Sequence, residues 1–274
     1  MKKNKANLSL STWDYLYLPP FKALDKISSM GFDSVELWGD YPHFWPRKYL
    51  IKDNLQKLKN KLKKFTGLNS VHAPIVRLTS KNAGLREEAI KQVKETILLA
   101  GKLGIKYITL HGGEKPFNMQ NCNFTGQTYN LFINDLKKLG ILAGRKSVIL
   151  CLENIPGEFG FEAHEMKKLL SRVNSKGVCM TLDIGHANLA GGDKVFEFFK
   201  LLKNKIRVMH INDNDGSGDD HLAIGSGNIK FCEFFNKFGK DLENKVLVGE
   251  LAYNKKNPEK PILGFINFMK NFTA

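Results

Sequence analysis

The stretch Val148-Ile149-Leu150-Cys151-Leu152-Glu153-Asn154 carries the reading of the fold. An apolar run of this length suits a parallel strand whose outer face is covered by helices. It ends on a carboxylate, which is costly to desolvate unless it is paired or metal-bound. The same grammar recurs on both sides. Strands are expected at Asn7–Ser11, Ser34–Trp38, Asn69–Ala73, Tyr107–His111, Val148–Glu153, Val178–Asp183, Ile206–Ile211 and Lys245–Glu250. Amphipathic helical patterns separate them, at Phe21–Met30, Lys52–Phe65, Arg86–Leu103, Gln127–Ala143, Ala163–Arg172, Val195–Leu202, Phe231–Phe238 and Ile262–Lys270. Gly31 and Gly104 sit just past the ends of two of these, where a left-handed C′ residue is needed. Eight β/α units in 274 residues predict one (β/α)8 TIM barrel spanning 1–274. A doubly wound open sheet fits less well, because no G-x-G-x-x-G follows the first strand.

Composition narrows the classes. Hydrophobic residues make up 42% of the chain, enough for a sizeable core. No run of about 18 apolar residues occurs, so no membrane span or membrane partner is expected. The basic N-terminus Met1-Lys2-Lys3-Asn4-Lys5 is followed by no apolar h-region, which argues against a secretory signal. Cys122, Cys151, Cys179 and Cys232 form no C-x-x-C pair and read as reduced thiols of a cytoplasmic protein. The formal charge is +15, but its lysines are spread along helices, as in Gln56–Lys64, and most of it is solvated helix face.

The chemistry-bearing residues collect at the strand ends. His72 ends the third strand, His111 the fourth and Glu153 the fifth. Asp183 and His186 end the sixth, His210 and Asp213 the seventh, and Glu250 the eighth. In a barrel these ends converge on one mouth. Five of the seven histidines lie there or in the loop after the seventh strand. That loop carries Asp219-x-His221, a spacing that can aim two ligands at one ion. Imidazole and carboxylate without thiolate suit zinc, manganese or iron. Asp213, within Asn212-Asp213-Asn214-Asp215-Gly216, reads as turn chemistry and is left outside the ligand set. The loop Tyr41-Pro42-His43-Phe44-Trp45-Pro46-Arg47 offers His43, Trp45 and Arg47 as substrate contacts, with a packed surface loop as the plainer reading.

These residues, in this order, resemble the xylose-isomerase-like TIM barrels, a superfamily that includes endonuclease IV and the sugar-phosphate isomerase/epimerase group. The resemblance covers almost the whole chain. It implies that His72, His111, Glu153, Asp183, His186, His210, Asp219, His221 and Glu250 fall on the metal-ligand positions of endonuclease IV, which holds three zinc ions. It also implies a single-ion set of Glu153, Asp183, His210 and Glu250, as in the ketose epimerases. Leu182–Asn188 and His210–Gly216 resemble proteins labelled sugar-phosphate isomerase/epimerase. The chain departs from the endonuclease at Gly185, where that enzyme has cysteine. It departs again at Ala73-Pro74-Ile75-Val76-Arg77, where the enzyme inserts a Tyr-Leu pair into DNA. It departs from the epimerases at Asp213–Gly218, which lacks their arginine.

Two chemistries follow. A sugar or sugar-phosphate isomerase/epimerase would use one ion as Lewis acid, Glu153 and Glu250 as acid and base, and His186 to orient a hydroxyl. An endonuclease IV-like hydrolase would use up to three ions on the phosphodiesters of abasic DNA, with Glu153 bridging. The flanking words favour the first, with zinc expected before manganese or iron. A binding barrel without catalysis is a third reading, which the acid/base carboxylates disfavour.

Overall fold

The computed structural model describes residues 7–116, 124–253 and 256–273. Its strands are β1 (Asn7–Ser11), β2 (Ser34–Trp38), β3 (Ser70–His72), β4 (Tyr107–His111), β5 (Ile149–Glu153), β6 (Val178–Asp183), β7 (Ile206–Ile211) and β8 (Val246–Gly249). All pair in parallel in chain order, and β1 pairs with β8 to close the barrel. The (β/α)8 architecture is therefore as the sequence reading expected, with strand ends shifted by at most one residue and helix ends by up to three.

Helices α1 (Pro20–Ser29), α2 (Pro46–Tyr49), α3 (Lys52–Leu62), α4 (Ala83–Leu103), α5 (Phe124–Arg145), α6 (Ala163–Val173), α7 (Ile184–Leu189), α8 (Lys194–Leu202), α9 (Phe231–Phe238) and α10 (Lys260–Thr273) accompany the barrel. Gly31 and Gly104 adopt φ of 86° and 73°, the left-handed values expected there. The short helices α2 and α7 were not anticipated. Helix α7 starts where it does because the Asp183 side chain accepts from the His186 backbone N–H at 2.7 Å, a cap on the last residue of β6.

The strands are less uniform than their apolar wording indicates. On β5, Leu150 and Leu152 join the main core against the helices, whereas Cys151 belongs to a separate inner cluster with Tyr107, Cys179, Val208, Val246 and Val248. Alternation along each pleat then turns Glu36, His72, Thr109, Glu153, Thr181, Asp183 and His210 into the barrel. The apolar face is the outer one, and the barrel interior grows polar towards its mouth. Cys151 and Cys179 are buried free thiols and Cys232 is exposed; Cys122 lies outside the described residues. Among the described residues no helix is long and apolar enough to cross a membrane.

Candidate metal centre

Register places the first ligand pairs side by side, His111 opposite Glu153 and Asp183 opposite His210. Glu153 is the hub. Its Oε1 lies 2.9 Å from His210 Nδ1 and 3.6 Å from His186 Nδ1. Its Oε2 lies 3.4 Å from His72 Nε2 and 3.7 Å from His111 Nε2. On the far side His210 Nδ1 is 2.8 Å from Glu250 Oε2 and 3.8 Å from Asp183 Oδ2. Asp219, from the loop after β7, places Oδ2 at 3.1 Å from His186 Nε2 and Oδ1 at 3.3 Å from His221 Nε2.

All nine expected ligands thus gather at one mouth, in three groups. These are His72, His111 and Glu153; Glu153, Asp183, His210 and Glu250; and His186, Asp219 and His221. Within each group the donor atoms lie within 4.8 Å of one another. Two donors at about 2.0 Å from one tetrahedral ion would sit about 3.3 Å apart. The 3.4 and 3.7 Å gaps around Glu153 Oε2 are close to that spacing, and this buried oxygen has no hydrogen-bond partner. Buried orphans of this kind call for a group that satisfies them. The donor set fits divalent metal.

The rings are oriented from behind. His72 Nδ1 contacts the Ala73 carbonyl at 2.8 Å and His221 Nδ1 the Glu250 carbonyl at 3.0 Å, so each turns Nε2 to the carboxylates. Trp38 packs on His72 and Trp13 on His221, with centroids 4.6 and 5.0 Å apart. Asn212 Nδ2 donates to Asp183 Oδ2 at 2.8 Å, and the Asn154 side chain bonds both the N–H and the carbonyl of Asp183. Gly185 leaves room for this, because a Cβ there would meet Asn212 Oδ1 at 1.9 Å. Glu158 Oε1 lies 3.5 Å from His111 Nδ1, while its Oε2 accepts from the Gly113 N–H.

Burial alone would raise the Glu153 carboxyl, but His210, His72 and His186 hold it well below the usual carboxylate range. Burial likewise opposes protonation of His210, yet Glu250, Glu153 and Glu36 raise it well above an ordinary imidazole. Asp183 moves up, because burial outweighs the imidazoles near it. Glu250 is driven down to about 2, its burial overcome by His210.

Asp213 is turn chemistry, as the sequence reading held. Its oxygens accept from the N–H groups of Asn214, Gly225, Gly227 and Ile229, which pins the loop carrying Asp219 and His221. The loop after β2 faces elsewhere. His43 is buried with Nε2 3.0 Å from the Leu18 carbonyl. Arg47 binds Glu95 and Glu88 of α4 and lies over the half-buried Trp45 ring. These contacts tie His43, Trp45 and Arg47 to the scaffold, outside the three groups. Glu36 escaped the sequence reading. Its signal was a lone carboxylate inside the apolar strand Ser34-Val35-Glu36-Leu37-Trp38.

A closed parallel barrel with buried imidazole and carboxylate groups at its C-terminal mouth defines a class of metal-site TIM barrels. The chain belongs to the xylose isomerase-like TIM barrel family, whose model matches residues 24–271. That family comprises metal-dependent enzymes. Among relatives, the uncharacterized Methanocaldococcus jannaschii protein MJ1311 is 29% identical over 223 residues, covering 78% of this chain and 73% of that protein. A protein from Aquifex aeolicus named probable endonuclease 4 is 27% identical over 261 residues, covering 88% of this chain and 90% of its own. Among solved structures, a D-tagatose 3-epimerase-like protein superposes with a TM-score of 0.83 at 24% identity, over 97% of this chain and 98% of that one.

Proposed function

We propose that this chain is a metal-dependent phosphodiesterase acting on nucleic acid, with abasic duplex DNA as the first substrate to test. The observation that carries the reading is the use of all nine ligands. A one-ion enzyme needs the group around His210, with His186 to orient a hydroxyl, and leaves His72, His111, Asp219 and His221 without a task. A three-ion hydrolase employs every one. This reverses the preference drawn from the flanking words, because ligand geometry bears on chemistry more directly than neighbouring sequence does. The similarity to the Aquifex aeolicus protein and the +15 charge support it.

Divalent ions held by the three groups would supply a nucleophilic water at neutral pH and neutralise charge on the attacking and leaving oxygens. The protein's own share is placement. Glu153 divides its two oxygens between two groups. Asn212 and Asn154 fix Asp183, and the Asp213 clamp presents Asp219 at the rim, where its side chain is 44% exposed and within reach of a bulky substrate. The experiment is incubation of zinc- or manganese-loaded protein with a duplex carrying one abasic site. Metal-dependent nicking that vanishes in Glu153→Ala, with the fold retained, is expected. Nicking that persists in that variant, or no nicking at all, overturns the reading.

A second reading keeps sugars or sugar phosphates as substrates. It is favoured by Glu153 and Glu250 flanking His210 at 2.9 and 2.8 Å, an arrangement suited to moving a proton between adjacent carbons. Turnover of any member of a ketose and ketose-phosphate panel, without nicking, would select it.

A further inference from the structure

Glu36 belongs to none of the three metal groups, yet it is fully buried in the middle of β2. A structural position of this kind in a barrel interior takes a branched aliphatic residue, and a carboxylate there is retained only with partners. Its Oε2 accepts from Ser70 Oγ at 2.9 Å and from Thr109 Oγ1 at 3.4 Å. Thr109 is braced in turn by Thr181, with the two hydroxyl oxygens 3.0 Å apart. This layer of hydroxyls from β3, β4 and β6 fixes the carboxylate through Oε2 and leaves Oε1 3.1 Å from His210 Nε2, a buried charge contact in which neither atom has a hydrogen-bond partner. The opposite ring nitrogen, Nδ1, faces Glu153, Glu250 and Asp183.

We infer that Glu36 is the positioning residue of the four-ligand group: it holds the His210 proton on Nε2 and so presents the Nδ1 lone pair to the metal. An imidazole carries one proton when neutral; carboxylates face both nitrogens of His210, and once a cation takes Nδ1 the proton is left to Nε2, beside Glu36. Carboxylates behind a metal-bound histidine lock the ring and raise its donor strength, and their loss weakens metal affinity by about 10–100-fold. His72 and His221 use backbone carbonyls for the same purpose. His210, fully buried and faced by Glu153, Glu250 and Asp183 on its other side, uses a side-chain carboxylate. The inference rests on metal binding at this group, which the hydrolase and the epimerase readings share.

The test uses the full chain, stripped by chelation and reloaded with zinc. Affinities are read by competition with a chromogenic chelator, and ring protonation by long-range proton–nitrogen correlation on histidine-labelled protein. In the wild type, His210 is expected to carry its proton on Nε2 with Nδ1 bound to zinc. Glu36→Gln keeps shape and removes charge, and should weaken one zinc by at least about tenfold. The zincs at the other two groups keep wild-type affinity. Glu36→Leu should weaken the same zinc further; should it fail to fold, the Gln variant decides. A wild-type His210 protonated on Nδ1, or unchanged affinity in Glu36→Gln, overturns the inference and leaves the functional reading standing. A wild type that binds no divalent metal overturns both.

Discussion

Glu153 is the one side chain that serves two groups, so its removal should be felt twice. Elemental analysis of folded Glu153→Gln is expected to show two fewer ions per chain than the wild type, and Asp219→Ala only one fewer. Equal losses would mean that the groups do not share a ligand. The histidines also set a pH dependence. Burial opposes their protonation, but Asp183 and Asp219 push His186 up to about 9, and Asp219 and Glu250 push His221 up to about 10. Folded values above the ordinary 6.5 give stability that is complete below that pH and is lost as pH climbs through 9 to 10. The chelated protein should therefore melt at lower temperature at pH 9 than at pH 6.5. Zinc affinity should run the opposite way, because binding needs neutral imidazoles and releases protons. Calorimetry with and without chelator, beside a proton-release titration, checks both signs.

Among the elements, the loop after β7 is held by Asp213 through four backbone N–H groups. Asp213→Ala would strip an acceptor from several backbone N–H groups in a sheltered turn. A loss of about 1–3 kcal/mol is expected, with faster amide exchange at Gly225 and Gly227 and weaker binding at the His186, Asp219 and His221 group. Unchanged exchange would show that the loop is held by other means. Much at this scale was legible beforehand. Apolar runs gave the strands nearly residue by residue, because parallel strands under helices need little polar surface. What stayed hidden was the pleat. Leu152 and Cys151 look alike in a hydropathy reading, yet one faces α-helices and the other the barrel lumen. Had the alternation been read, Glu36 would have stood out as an inward charge. The strand-end ligands were visible because four histidines fell at strand ends and a fifth in the loop after β7. The ties of Arg47 to Glu88 and Glu95 join residues more than forty positions apart, which spacing alone does not reveal.

For the molecule as a whole, metal should stabilise the native barrel, since the three groups together draw on strands three to eight and the full set exists only in the folded barrel. Free zinc at about 100 times a site's dissociation constant would add about 2.7 kcal/mol for that site, read as a higher Tm that chelator reverses. No shift on chelation would argue against bound metal. Binding of an abasic duplex should fall steeply between 50 and 200 mM salt, by as much as about 10³–10⁵ if six to ten phosphates are contacted. Flat salt dependence would favour a small sugar instead.

The pairing of β1 with β8 carries one more implication, for the order of events at the ribosome. His72, His111 and Glu153 come from neighbouring strands and emerge before Glu250, for which the group around His210 must wait. A nascent chain can offer its first three donors early, but it cannot finish the shared pocket until the last strand docks against the first. An ion that needs Glu250 would therefore be taken up only once the eighth strand has closed the cylinder.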